Sequence, residues 1–200
     1  MQPDDPAGVL EGAAFLHLTG ITGALSPGCA EFLTWAARTA RAAGVRVSYD
    51  VNYRSRLWEP AAARAASEAM LPHVDVLLVG DEEARALWGW DDEACLERLA
   101  DAGTGDVVLK LGARGCAAVV DGERLTSLGF PARQLDPIGA GDAFAAGYLA
   151  ATLWGLDPAD RLRTANAMGA FCVQNLGDYE GLPSRRELTA FLDRTVDLGR

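Results

Sequence analysis

At 200 residues and 21.1 kDa the chain has the size of one domain, and we expect a single domain over residues 1–200. Half of the residues are hydrophobic and 23% are charged, a balance that excludes a disordered or fibrous protein. The chain carries 18 basic and 28 acidic side chains, a net charge of −10. We therefore expect no nucleic-acid partner and no binding to an anionic membrane.

Cysteine spacing and hydropathy indicate a reducing compartment. The four cysteines are far apart and form no C-x-x-C pair, which predicts reduced, partly buried thiols and neither a zinc site nor a disulfide framework. No apolar run approaches the roughly 18 residues that a membrane span requires. The acidic start, Met1–Asp5, lacks the basic-then-apolar order of a signal peptide. We expect a cytoplasmic protein.

Short aliphatic runs alternate along the chain with helical stretches. The predicted strands are Ala14–Leu18, Val45–Tyr49, Val74–Val79, Val107–Leu111 and Gly115–Val120. The predicted helices are one that Ser26 caps and Gly44 ends, those at residues 59–70, 81–87, 140–153 and 160–173, and one opened by a capping box at Ser184–Glu187. This alternation predicts an α/β fold with a mostly parallel sheet covered on both faces by helices. Ligands of such sheets bind at the carboxyl ends of the strands.

One such strand end carries the segment Leu135–Phe144, which is rich in small residues. Glycines allow the backbone to approach a ligand closely, and the free N–H groups of the following helix favour a phosphate or an oxyanion. Asp142 lies in the first turn, where a carboxylate can take a proton from an attacking hydroxyl. The alternative is a glycine-rich turn with Asp142 as a helix-start residue. Phe144 excludes the G-x-G-x-x-G dinucleotide motif, and no P-loop motif occurs.

The run Asp136–Asp142 resembles the D-[TP]-x-G-A-G-D signature of the ribokinase-like (PfkB) carbohydrate kinases. The resemblance implies a three-layer α/β/α fold and ATP-dependent phosphorylation of a sugar, with Mg²⁺ as cofactor. It also implies that the amides of Gly139, Ala140 and Gly141 bind the γ-phosphate, and that Asp142 contacts the sugar hydroxyl and deprotonates it.

Two further segments resemble the nucleotide-binding parts of this family. In Val108–Gly115, Gly112 and Gly115 permit a tight turn beside the nucleotide, and the alternative is a plain β-hairpin. Lys110, the single lysine of the chain, either approaches the nucleotide or extends into solvent. Asn166 matches a position near the adenine in relatives, and a helix-packing role is the alternative.

The segment Tyr49–Trp58 is similar to the D-x-N-x-R-x-x-L-W run of 2-keto-3-deoxygluconate kinases and some fructokinases. The planar fork of Arg54 suits a sugar-acid carboxylate or a phosphate. Asn52 adds neutral hydrogen bonds, and we place it with the nucleotide-binding residues. The alternative for Arg54 is a structural ion pair with Asp50 that closes the loop.

Two features depart from the family pattern. The N-x-x-E motif that organises magnesium corresponds to Gly80–Glu83, where Glu83 keeps the acidic position and Gly80 replaces the amide. Glu83 is therefore a candidate metal residue, and an ordinary acid at a helix N-terminus is the alternative. The resemblance covers residues 13–193, which correspond to the later part of a full kinase, without its first strands and its β-sheet lid.

Together the resemblances predict an ATP- and Mg²⁺-dependent kinase of the 2-keto-3-deoxygluconate type, truncated at its N-terminus. A fructokinase or ribokinase is the alternative within the enzyme class, and a nucleotide-binding remnant without kinase activity is the alternative outside it. The expected partners are a small sugar or sugar acid and ATP. A homo-oligomer is compatible with the resemblance, because the family's lid often mediates dimerisation.

Overall fold

The computed structural model describes residues 6–197. Its strands, in chain order, are β1 (Phe15–Thr19), β2 (Arg46–Asp50), β3 (Val76–Gly80), β4 (Asp106–Lys110), β5 (Gly115–Val120) and β6 (Glu123–Leu128). Its helices are α1 (Pro6–Leu10), α2 (Gly20–Leu25), α3 (Pro27–Ala42), α4 (Pro60–Met70), α5 (Asp81–Trp88), α6 (Asp92–Asp101), α7 (Ala140–Leu153), α8 (Pro158–Cys172) and α9 (Arg185–Asp197).

The six strands form one sheet in chain order, from β1 to β6. The first four strands pair in parallel, with Leu18 opposite Tyr49, Tyr49 opposite Leu77, and Leu77 opposite Val107. This register brings the carboxyl ends of β2, β3 and β4 to one edge. The predicted α/β class with a mostly parallel sheet is confirmed.

The chain divides into two compact units. The first unit runs to Lys110 and includes Ala118–Arg124, and the second comprises Leu111–Ala117 and the chain from Leu125 onward. The predicted single domain over residues 1–200 stays a prediction.

The core of the first unit lies around β3. Its residues from Val76 to Val79 are all buried, and successive side chains of a strand point to opposite faces. Both faces of β3 are therefore covered, as expected for a parallel sheet whose strands are continuous aliphatic runs. Helix α3 packs against β1 and β2, α5 against β3, and α6 against β4.

In the second unit, α7 packs closely against α8. A Cβ at Gly147 would lie 2.8 Å from Met168 Cγ and 3.0 Å from Ala165 Cα, so the absence of a side chain at this position allows the two helices to pack this closely. Phe191 of α9 makes an edge contact with Phe171 of α8, with ring centroids 5.1 Å apart. These contacts fix the helix that follows the glycine-rich segment.

The predicted elements agree with the structure to within a few residues. The Ser26 hydroxyl accepts a hydrogen bond from Cys29 N at 3.2 Å and caps α3, and Ser184 with Glu187 forms the predicted capping box of α9. Sequence analysis missed α1, α2, α6 and β6. Helix α6 carried a readable signal, because the Asp91 carboxylate caps it by accepting from Ala94 N at 2.8 Å.

The four cysteines are free thiols, as predicted, with Cys29 half-buried and the other three (Cys95, Cys116 and Cys172) buried. Within residues 6–197, no helix is long and apolar enough to cross a membrane.

Candidate functional site

The candidate residues fall into two groups, one in each compact unit. The second unit holds the anion loop, which we define as residues 136–142, together with the glycine turn and Asn166. The first unit holds the charged residues at the carboxyl ends of β2, β3 and β4.

The anion loop has a backbone that only glycine accommodates at position 139. Gly139 has φ of 76°, and a Cβ there would lie 2.5 Å from the carbonyl oxygen of Asp178. The Asp136 carboxylate holds the loop on both sides, because it accepts hydrogen bonds from Ile138 N at 3.0 Å and from Gly177 N at 3.4 Å. Within the predicted signature, Asp136 therefore serves to hold the shape of the loop.

Helix α7 begins at Ala140, immediately after the anion loop. No side chain caps this end, since Gly139 occupies the N-cap position, and the first-turn amides carry the positive end of the helix dipole. Asp142 is exposed in that turn, and its carboxylate makes no hydrogen bond or ion pair within the described part of the chain. Gly139, Ala140, Gly141 and Asp142 thus form the N-terminal end of α7, and their roles as phosphate-binding amides and as base stay predictions.

Sequence analysis missed the role of Cys172. Its single S–H group is within hydrogen-bond distance of two carbonyl oxygens, that of Ile138 at 3.3 Å and that of Asp178 at 3.5 Å, and so ties the end of α8 to the anion loop. Burial raises the pKa of Cys172, and the carboxylates of Asp178 and Asp136 raise it further. The thiol consequently stays protonated and able to donate. No sequence pattern marks this role, since residues 138 and 172 meet only in the folded chain.

The predicted glycine turn is present after β4. Gly112 has φ of 58° and Gly115 has φ of 99°, and Leu111 N donates to Gly115 O at 2.8 Å. A side chain at Gly115 would collide with the backbone of Ser127 and Gly129. Close approach to β6 explains this glycine, and its proposed role beside a nucleotide stays a prediction.

Asn166 is buried on α8, where its side-chain amide holds the second unit together. Nδ2 donates to Ser127 O at 3.0 Å, to Ser127 Oγ at 3.1 Å and to Leu128 O at 3.3 Å. The amide nitrogen is therefore used by the protein itself, as in the helix-packing alternative.

In the first unit, Lys110 at the end of β4 forms an ion pair with Asp50 at the end of β2. Lys110 Nζ lies 2.8 Å from Asp50 Oδ1 and 2.7 Å from Oδ2. The Asp50 side chain is 1% exposed and that of Lys110 is 16% exposed. The solvent-facing alternative for Lys110 is wrong, because the side chain turns inward to a buried carboxylate. The alternative of an Asp50–Arg54 ion pair is also wrong. Both carboxylate oxygens of Asp50 bind Lys110, and Arg54 is exposed and donates to Tyr53 O.

Glu83, in the first turn of α5, uses both carboxylate oxygens on backbone amides. Oε2 accepts from Gly80 N at 2.7 Å, and Oε1 accepts from Tyr53 N at 2.9 Å in the loop after β2. Burial raises the pKa of Glu83, while the nearby Lys110 charge opposes the rise. The bond from Gly80 N to Glu83 is the contact expected from the alternative prediction, in which Glu83 is an ordinary acid at a helix N-terminus. The bond to Tyr53 was not foreseen.

The donor set around Glu83 does not fit a magnesium ion. Both carboxylate oxygens already accept N–H groups, and the charged side chains near Glu83 are the cationic Lys110 and Asp50, whose carboxylate is paired with Lys110. No group of three or more His, Cys, Asp or Glu side chains that could hold a metal occurs among the residues that the structure describes. In this arrangement Glu83 binds two backbone amides, and its role at a metal stays a prediction.

The loop after β2 presents Arg54 and contains a backbone in the left-handed region. Asn52 is buried with φ of 41°, a conformation in which asparagine is enriched among non-glycine residues. Arg54 is exposed, and its Nη1 donates to Tyr53 O at 3.3 Å. The guanidinium retains donors that face solvent.

Comparisons with known proteins agree with the motifs. The model of the pfkB family carbohydrate kinases matches residues 1–185. A 2-dehydro-3-deoxygluconokinase of Bacillus subtilis is 36% identical over 96% of this chain and 60% of its own length. A 2-dehydro-3-deoxygalactonokinase of Haloferax volcanii is 36% identical over 84% of this chain and 53% of its own length. The chain thus spans between about half and three fifths of these relatives.

Solved structures show the same fold. A PfkB protein of Polaromonas sp. JS666 is 34% identical, with a TM-score of 0.81 over 93% of this chain and 60% of that one. A putative ribokinase II of E. coli in complex with ATP and Mg²⁺ is 25% identical, with a TM-score of 0.84 over 94% of this chain and 61% of that one. The sequence match over residues 1–185, the shared fold and the loop at Gly139–Asp142 lead to one conclusion: the chain belongs to the pfkB family of carbohydrate kinases.

Proposed function

We propose that the protein transfers the γ-phosphoryl group of ATP to a terminal hydroxyl of a sugar acid, converting 2-dehydro-3-deoxygluconate (2-keto-3-deoxygluconate) to its 6-phosphate. One observation carries this proposal. The uncapped N-terminus of α7 lies at the end of a glycine loop, and the exposed carboxylate of Asp142 stands in its first turn.

The chemistry follows from that juxtaposition. The first-turn amides hold the anionic phosphoryl group, because their N–H groups lack intrahelical partners. Asp142 accepts the proton of the sugar hydroxyl as its oxygen attacks phosphorus, and the bond from phosphorus to the ADP oxygen breaks. The products are the phosphate monoester and ADP, and the proton remains on Asp142 until solvent removes it.

Arg54 supports an acidic acceptor. Its guanidinium is exposed on the loop after β2 and can bind a carboxylate with two parallel hydrogen bonds. The named activities of the Bacillus subtilis and Haloferax volcanii relatives both concern 2-dehydro-3-deoxy sugar acids. We therefore place Arg54 at the substrate carboxylate, and Asn52, two residues before it, stays a candidate for contact with the nucleotide.

ATP and Mg²⁺ are the proposed nucleotide and metal, in line with the E. coli relative that was solved with both. Magnesium neutralises charge on the phosphates when it is bound. Since the surroundings of Glu83 do not fit Mg²⁺, we propose that the magnesium ion arrives bound to the nucleotide. Gly112 and Gly115 remain candidates for contact with the nucleotide, whereas the amide nitrogen of Asn166 and the ammonium of Lys110 are used within the protein.

A nucleotide-binding protein without turnover is the second candidate. The chain spans 53% to 60% of the two relatives named above, and their whole activity is not carried over to it without a test. ADP release from Mg-ATP distinguishes the candidates. The assay uses 2-dehydro-3-deoxygluconate and its galacto epimer, with fructose and ribose as neutral acceptors.

The decisive variant is Asp142→Asn, with Asp101→Asn as a matched control on the exposed end of α6. Loss of a general base lowers turnover by about 10²- to 10⁴-fold. ATP affinity should stay within about 3-fold, because the amides that bind phosphate are unchanged. Full turnover in Asp142→Asn would remove the base assignment, and no ADP release by the wild-type chain with any acceptor would select the second candidate.

Arg54→Ala tests the acceptor, with the neighbouring exposed Arg56→Ala as control. A hydrogen bond to a charged group contributes about 1.5–3 kcal/mol, so the KM for the sugar acid should rise about 10- to 150-fold. The KM for fructose should change little. An equal rise for both acceptors would refute the carboxylate contact.

A further inference from the structure

We propose that Glu83 positions the acceptor loop, which we define as residues 51–57, by holding its backbone, and that it does not bind magnesium. The Asp50–Lys110 ion pair supports the base of the same loop. The inference rests on the proposed function where it concerns the sugar acid, and on geometry alone where it concerns the loop.

The first step is the pair of hydrogen bonds that Glu83 accepts. One comes from Gly80, at the end of β3, and the other from Tyr53, thirty residues earlier in the chain. A single carboxylate therefore joins the start of α5 to the loop that follows the neighbouring strand. Hydrogen bonds to an ionised acceptor are shorter and stronger than neutral ones, which suits a positioning role.

The second step is the role of Gly80 in this arrangement. A Cβ at position 80 would lie 3.2 Å from Glu83 Oε2, closer than most Cβ contacts, and 3.4 Å from Glu83 Cγ, so the Glu83 carboxylate would have to shift to accommodate it. Glycine at this position lets the Glu83 side chain fold back over its own helix start. We therefore connect the two observations: glycine replaces the amide residue of the family's N-x-x-E pattern, and this leaves room for Glu83 to bind the backbone amides of Gly80 and Tyr53.

The third step is the ion pair at the base of the loop. In the sheet, β3 lies between β2 and β4, and Gly80 is the register partner of Lys110. The Lys110–Asp50 pair therefore spans the end of β3 and fixes the last residue of β2, from which the acceptor loop departs.

These contacts hold the backbone on both sides of Asn52. Val51 N donates to Leu78 O at 3.0 Å, and Tyr53 N donates to Glu83. Asn52, with φ of 41°, is thereby held in a conformation that a free loop rarely adopts. Arg54 follows directly, so the direction of its side chain depends on the Tyr53 bond.

The test compares Glu83→Gln with Glu82→Gln, its exposed neighbour on α5, in the full chain. Glutamine keeps one acceptor but turns an amide donor toward the second N–H group. The first measurement is amide hydrogen exchange at Tyr53 by NMR, which requires no substrate. We expect exchange to accelerate at least about 10-fold in Glu83→Gln and to stay unchanged in Glu82→Gln. Unchanged exchange at Tyr53 in a folded Glu83→Gln variant would overturn the proposal.

The second measurement is binding of 2-dehydro-3-deoxygluconate and of ATP, with and without Mg²⁺, by calorimetry. We expect Glu83→Gln to lower the affinity for the sugar acid about 10-fold and to leave the effect of Mg²⁺ on ATP affinity unchanged. Loss of that magnesium effect in Glu83→Gln would assign Glu83 to the metal and overturn the proposal. If the wild-type chain binds no sugar acid, the proposed acceptor is wrong, and the exchange data still decide whether Glu83 holds the loop.

Discussion

Substitution of Lys110 by methionine would leave the Asp50 carboxylate buried without its counter-charge. Asp50 is 1% exposed, and both of its oxygens lie within 2.8 Å of Lys110 Nζ. Removing one partner of a buried ion pair costs about 3–5 kcal/mol, because the remaining charge loses its compensation. Lys110 is 16% exposed, so we take the lower end, about 3 kcal/mol.

The reverse substitution should cost less. In Asp50→Asn, the ammonium of Lys110 remains, and its partial exposure lets water solvate it, so we expect about 1–2 kcal/mol. The double variant removes both charges and should be more stable than Lys110→Met alone. This non-additivity, with a coupling of at least about 1 kcal/mol, is the signature of the pair.

Urea unfolding followed by the fluorescence of the five tryptophans measures these free energies. In a chain of this size, about 3 kcal/mol corresponds to a fall in Tm of about 6–12 °C. Arg64→Met is the control, because the Arg64–Glu68 pair on α4 is exposed and should contribute less than about 0.5 kcal/mol. A loss below about 1 kcal/mol in Lys110→Met, or additive single variants, would show that Lys110 does not compensate a buried charge.

Three further outcomes are expected. Gly20→Ala should destabilise the fold by about 1–3 kcal/mol, since a Cβ there would collide with the Val51 carbonyl and lie 3.0 Å from the Tyr49 hydroxyl. In the same urea assay Gly28→Ala should cause no loss of stability, because a Cβ there would meet only Ser26 Oγ, at an ordinary contact distance of 3.9 Å. Burial raises the pKa of Glu83, so the wild type loses stability as pH rises from the ordinary value of 4.5 through the raised pKa. The difference in unfolding free energy between the wild type and Glu83→Gln should therefore shrink as pH rises across that window. A difference that widens with pH would contradict the raised pKa. Burial raises the pKa of Cys95 and of Cys116 to about 12, so a thiol reagent at pH 8 should modify half-buried Cys29 first and the buried cysteines only in urea. Labelling of Cys95 in the native chain would be inconsistent with that burial.

Most of the strands and helices could be predicted because their signals are local. Val76–Val79 is a continuous aliphatic run, Ser26 with Pro27 marks the start of α3, and Ser184 with Glu187 marks the start of α9. Strand β6 escaped because it is exposed along much of its length, so it lacks the apolar run of a buried strand. Helix α2 is only six residues long and contains two glycines, which weakens every helical signal.

The anion loop was also readable in advance, because its chemistry is contiguous. The positive φ at Gly139, the start of α7 and the placement of Asp142 in its first turn depend on residues adjacent in the chain. The sequence by itself therefore determined the family, the α/β class and the residues that make up the proposed phosphoryl site.

The partners of charged side chains were decided only by the tertiary structure. Lys110 and Asp50 are sixty residues apart, and Glu83 and Tyr53 are thirty apart. Which of these meet depends on the order and register of β2, β3 and β4, and a side chain such as Arg54 or Lys110 is compatible with several partners until that register is known. Burial then selects among them, since a carboxylate as enclosed as that of Asp50 requires a counter-charge within reach.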